Sequence, residues 1–182
     1  NKTGNANSYL TLNGISGDAW CAGSNYTVQP EITLAGDVNF QNGYSSKTVT
    51  FRKIAAGTGN LSLKSWASCT GITYGFTTLD ADNYTGTIQL DGSVLTFNVG
   101  DILKTGAQPG DKVLPLTVAN NATVNLANAT VNGQPANLEL QADGVYLVST
   151  VTVTVPAVAN TTVTVTVGGE TIGTAAGDYD VA

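Results

Sequence analysis

Apolar and polar residues alternate along most of this chain with the two-residue period of a β-strand, and no stretch shows the 3.6-residue period of a helix. Ile32, Leu34, Val38 and Phe40 share one parity; Val49 with Phe51, Leu61 with Leu63, and Ile72, Tyr74 and Phe76 repeat the pattern. Gly-rich punctuation separates these runs. Ile88 and Leu90 lead through Asp91-Gly92, a dipeptide suited to a tight hairpin, into Leu95, Phe97 and Val99. Leu114, Leu116 and Val118 follow, then Val124 and Leu126. Near the C-terminus Val151, Val153 and Val155 are mirrored after a short loop by Val163, Val165 and Val167, which predicts a second hairpin. Strands of about 5 to 8 residues at intervals of about 8 to 12 predict an all-β fold, and within that class a β-sandwich of immunoglobulin or jelly-roll kind.

Residues 1–17 read as an N-terminal tail ahead of a sandwich domain at 18–182. The first seven carry no large apolar side chain; Leu10, Leu12, Gly14 and Ser16 then fall on one parity, and Tyr9, Thr11, Asn13 and Ile15 on the other. An extended strand with two leucines on one face suits addition to a neighbour's sheet, where main-chain bonds give affinity and alternate side chains give specificity. It also suits an ordinary first strand of its own domain. The valines at 163, 165 and 167 are a rival donor, but their nearness to Val151–Val155 predicts pairing inside the chain, because so short a loop costs little to close.

Composition changes the picture mainly by exclusion. Only 11% of residues are charged, thirteen acidic against seven basic, for a net charge of -6. Such a balance argues against nucleic acid as a partner. The carboxylates are few and Thr and Asn stay polar in acid, so the surface should tolerate low pH. Seven Asn-x-Ser/Thr triplets, at Asn1, Asn25, Asn60, Asn83, Asn121, Asn128 and Asn160, point to an exported chain carrying N-linked glycans. A chain that begins with Asn and contains no Met suggests that something upstream was removed, for which a cleaved secretory leader is the simplest explanation but not the sole one. No apolar run approaches 18 residues, so no membrane span is expected.

Parity tests the acceptors, since a glycan must leave on the solvent side. Asn25 alternates with Tyr26 and Val28, Asn60 opposes Leu61 and Leu63, Asn121 opposes Val124 and Leu126, and Asn83 and Asn160 fall in turns. Asn128 shares the parity of Val124 and Leu126, and is accessible only if the strand has ended or bulged before it.

Candidate chemistry is sparse. Cys21 and Cys69 are an even pair in an exported chain and predict one disulfide. Trp20 and Trp66 flank them, either packing near the bridge or, if exposed, offering a platform for sugars. The chain has no His to serve as a general base or to complete a zinc site. Asp80-Ala81-Asp82-Asn83 opens like a calcium loop, but the twelfth position is Asp91, beyond a predicted strand, and Asp178 with Asp180 completes nothing further. No enzyme activity, metal or cofactor is expected. Lys47 and Lys64 are candidates for an isopeptide cross-link of the kind found in extracellular sandwiches.

The stretch from Asn7 to Gly17, then Cys21, the strand Glu31-Ile-Thr-Leu-Ala, the strand Thr48-Val-Thr-Phe and a second Cys69 resembles the layout of bacterial type 1 (chaperone-usher) pilins. The likeness covers mainly residues 7–76. Gly14 on the leucine parity is similar to the glycine that a pilin donor strand places in a shallow pocket. The acceptor triplets and the closing Thr-Val-Thr-Val-Thr-Val strand depart from bacterial pilins. With the acid-tolerant composition they bring the chain closer to the subunits of archaeal threads, the glycosylated donor-strand filaments of thermoacidophilic archaea. That resemblance implies an incomplete sandwich polymerising head to tail with identical subunits. Leu10, Leu12, Gly14 and Ile15 would be the donor strand, in an extracellular surface filament serving adhesion or biofilm. A monomeric glycosylated adhesin or carbohydrate-binding module is the alternative.

Overall fold

A computed structural model describes residues 8–19, 24–66, 69–92, 94–149, 151–158, 162–167 and 170–181. The described residues contain strands and turns and no helix, so none is long and apolar enough to cross a membrane. The fold is all-β, as the alternation predicts. Two compact units divide it, Asn1–Leu147 and Val148–Ala182.

In the first unit the chain winds in rungs, the first four of which lay one strand into each of two sheets. The first rung is β1 (Tyr9–Leu12) and β2 (Ile15–Ala19), the second β3 (Tyr26–Leu34) and β4 (Val38–Asn42), and the third β5 (Thr48–Gly57) and β6 (Leu61–Ser65). The fourth is β7 (Ile72–Asp80) and β8 (Ile88–Asp91); the fifth is β9 (Leu95–Asn98) with β10 (Asp101–Leu103), followed by β11 (Lys112–Ala119). A last partial rung holds β12 (Thr123–Asn125), β13 (Thr130–Val131) and β14 (Gln134–Pro135), and the hairpin β15 (Leu138–Gln141) and β16 (Gly144–Leu147) ends the unit. Pairing runs β1-β3-β5-β7-β10-β13 in one sheet and β2-β4-β6-β8-β11 in the other, all parallel.

This is solenoid-like stacking, and it differs from the antiparallel sandwich the alternation suggested. Alternation fixes which face of a strand is buried, and that requirement is the same for a strand paired to its sequence neighbour and for one paired a full rung away. Asp91-Gly92 shows the difference: β8 and β9 follow one another but lie in different sheets, so the dipeptide turns a corner and closes no hairpin. The hairpins that do form use Asn132-Gly133, both at positive φ, between β13 and β14, and Ala142-Asp143 between β15 and β16.

Parallel register stacks like on like. Leu10, Ile32, Ile54, Leu79, Ile102 and Val131 form one continuous aliphatic column through six strands. Tyr26, Val49, Tyr74, Phe97 and Val124 form a second, and Val38, Leu61, Ile88 and Leu116 a third in the opposite sheet. The sheets meet through edge-to-face rings, Phe40 against Phe51 at 5.5 Å and against Tyr74 at 6.0 Å.

At the corners the side chain of one rung satisfies the backbone of the next. Thr48 N–H donates to Asn25 Oδ1 (3.1 Å), Asn60 N–H to Asp37 Oδ1 (2.8 Å), Thr70 N–H to Ser45 Oγ (3.0 Å) and Thr87 N–H to Asn60 Oδ1 (3.0 Å). These partners lie 23 to 27 residues apart, which is the length of a rung. One corner is a column of glycines, Gly14, Gly36, Gly59 and Gly86. A Cβ on Gly59 would stand 2.2 Å from the Gly36 carbonyl oxygen, and one on Gly86 would stand 2.1 Å from that of Gly59. Backbones stack here at a separation that no side chain fits.

In the second unit β17 (Val151–Val155) pairs antiparallel with β20 (Gly177–Val181), and β18 (Val165–Val167) with β19 (Glu170–Gly173). The hairpin expected between Val151–Val155 and Val163–Val167 does not form, since each partner takes a strand further along the chain.

Candidate functional site

The first rung leaves one end of the stack uncovered. Among the described residues β1 is the outermost strand of its sheet and β2 of the other, so each presents an unpaired edge. Leu10 is 41% exposed and Tyr9 79%. Behind them a cavity of about 180 Å³ opens among Leu10, Leu12, Tyr26, Val28, Phe40 and Phe51, with Asn39 as its polar contribution. The other end is built differently. There β13 turns back through β14, and β11 pairs with the antiparallel β16 of the terminal hairpin, so short hairpin strands, β14 and β15, are outermost among the described residues.

The expected donor strand lies at this open end, but on its own chain. Leu10 stands in parallel register with Ile32, Leu12 with Leu34 and Ile15 with Val38. Gly14, expected to fill a shallow pocket of a neighbour, is the first member of the glycine column, at φ +75°. In this arrangement the tail extends the aliphatic column as the first rung of the stack, with Leu12 half-buried and Leu10 still 41% exposed.

Of the acceptors, Asn25, Asn83, Asn121 and Asn128 are exposed and Asn60 is half-buried; Asn1 and Asn160 lie outside the described residues. β12 ends at Asn125, three residues before Asn128, which sits in a turn, so the parity conflict disappears. The bonds that Asn25 and Asn60 accept through Oδ1 leave the amide nitrogen, the atom that carries a glycan, uncommitted by them. Cys69 is buried and has no disulfide partner among the described residues; Cys21 lies outside them, as does Trp20.

Trp66 is 44% exposed and belongs to a second feature. It lines a groove of about 500 Å³ at the corner where the β2-β4-β6-β8-β11 sheet hands the chain back, with Gln41, Lys64, Asp91, Asn120 and Asn121. Sequence reasoning named Trp66 and Asn121 separately, but their proximity depends on the rung register and was not visible from spacing.

The acidic residues thought to open a calcium loop are used internally. Asp80 accepts from the N–H groups of Asp82 (3.2 Å) and Asn83 (3.1 Å), and Asp82 from Thr105 N–H (2.9 Å) one rung on. The Thr105 hydroxyl and N–H hold the Asp82 carboxyl below the usual range. Lys112 and the Tyr146 hydroxyl do the same for Asp143, whose partner Lys112 is raised in turn. Burial pushes the Tyr84 phenol up.

No protein family, curated protein or solved structure matches the chain.

Proposed function

We propose that the chain is a structural subunit of an extracellular, N-glycosylated surface filament, polymerising head to tail. The observation that carries this reading is the open end of the rung stack. Two parallel-paired edge strands and an apolar cavity sit at one end, while short antiparallel hairpins form the other. A stacked array needs a cap at each terminus to stay soluble, and a missing cap is supplied most economically by another copy. Two unlike ends make the contact heterologous, and a heterologous contact that does not close into a ring continues into a fibre.

The donor is the second unit of the neighbour rather than the tail. Among those of its side chains that the structure describes none is buried, and Val153, Val158 and Ile172 are 41, 58 and 41% exposed. A two-stranded ribbon is marginal alone and gains stability by joining a sheet. The thread-like mode of assembly is thus retained with a different donor. The bridge between Cys21 and Cys69 and a role in adhesion belong to the same proposal.

Electron microscopy tests it. The native surface protein should appear as linear filaments, and a chain lacking residues 148–182 should give folded monomers. Filaments from the truncated chain would exclude the ribbon as donor, and a monodisperse native monomer would exclude the filament.

A further inference from the structure

The corner groove combines features the assembly reading does not use. Gln41, Lys64 and Asp91 stand in register, one per rung, on β4, β6 and β8, at the strand spacing of about 4.8 Å. The Asn120 amide donates to Asp91. The Trp66 indole lines the same depression. Asn121 stands at its rim in a tight turn, Ala119–Ala122, where Asn120 and Asn121 take φ of +54° and +59° and Ala122 N–H donates to Ala119 O (3.3 Å). Asn tolerates this left-handed backbone, and the turn leaves its side chain exposed.

We propose that the groove seats the proximal sugars of an N-linked glycan carried on Asn121. This rests on the glycosylation part of the proposed function. A pyranose offers a C–H face to an indole and hydroxyls to carboxylate, amide and ammonium groups, which is the set present here. The volume lies within the roughly 300–1,000 Å³ usual for small-ligand sites. One indole and a few half-buried or exposed polar groups make a weak site for a free saccharide. A tethered sugar meets the same site at an effective concentration of order millimolar, so weak affinity suffices for occupancy. That argument selects the chain's own glycan as the occupant. The sugar then lies along the rungs and covers Trp66.

Acrylamide quenching of Trp66 fluorescence reads this directly, using native glycosylated protein in a Trp20→Phe background. Thr123→Ala, which removes the triplet without altering the left-handed Asn121, should raise the quenching constant by at least about twofold when the tethered sugar occupies half or more of the sites. Chemical deglycosylation should give the same rise, and Asn128→Gln should give none. If Trp20→Phe does not fold, the difference between the native chain and Trp66→Phe supplies the same quantity. Equal quenching with and without the triplet, or an Asn121 peptide without glycan in the mass spectrum, would overturn the proposal. So would restored shielding of the Thr123→Ala protein by micromolar amounts of the protein's own released glycans, since the groove would then be a receptor for free saccharide. Microscopy of the same variants scores filaments independently, so failure here and failure of the filament reading remain distinguishable.

Discussion

The rungs of the first unit and the ribbons of the second are built from the same Thr, Val and Asn vocabulary, yet their burial is opposite. The first unit holds columns of mostly buried aliphatics and rings; among the described side chains of the second, none is buried. Alternation alone therefore does not make a core. Burial comes from having a second sheet to face and a rung above and below, which β17–β20 and β18–β19 lack within their own unit.

The largest expected effect comes from removing a column member. Ile54 is 1% exposed and sits mid-column between Ile32 and Leu79, so Ile54→Ala should lose about 2–5 kcal/mol in denaturant unfolding. Val153→Ala, at an exposed ribbon position, should change the isolated subunit by less than about 0.5 kcal/mol. Similar losses at both positions would erase the contrast between the units.

The glycine column gives the next effect. Gly59→Ala sets a methyl 2.2 Å from a backbone oxygen, and the rungs must separate to admit it, at a cost of about 1–3 kcal/mol. Thr58→Ala, at the exposed residue beside it, is the control and should be near neutral.

The smallest effects concern pH. A carboxyl whose folded pKa is lowered stabilises above its unfolded value and loses that contribution as pH falls through the folded value. Asp82 and Asp143 are of this kind, but both are exposed, so the thermal midpoint should stay nearly flat from pH 7 to about pH 4.5 and decline gently below. Tyr84 acts at the other limit. Its folded pKa is raised, so its contribution is intact below the unfolded value of about 10 and is lost as pH rises beyond it. Tyr84→Phe should flatten this alkaline loss, which a pH series of thermal melts would show.

Strand positions, inward parity and the exposure of Asn25, Asn83 and Asn121 were legible in the sequence because they follow from local period. The parallel register was not, because its signal is a second, longer period. Gly14, Gly36, Gly59 and Gly86 mark that period, but the rung length drifts and the glycines read as ordinary turn punctuation. Val151–Val155 and Val163–Val167 misled for the reverse reason. Their short loop favoured a hairpin, whereas the strands pair with Gly177–Val181 and Glu170–Gly173. The groove of Trp66 and Asn121 was hidden for the same reason as the register that creates it.

The proposed joint between subunits is tested most directly by placing a photo-cross-linking side chain at Leu10, on the exposed rim of the open end, in assemblies formed from mixed isotopically light and heavy chains. The account predicts cross-links from Leu10 of one chain to residues 151–181 of another, seen as mixed light–heavy peptides. Cross-links confined to single chains, or joining Leu10 to another chain's residues 8–19, would contradict it.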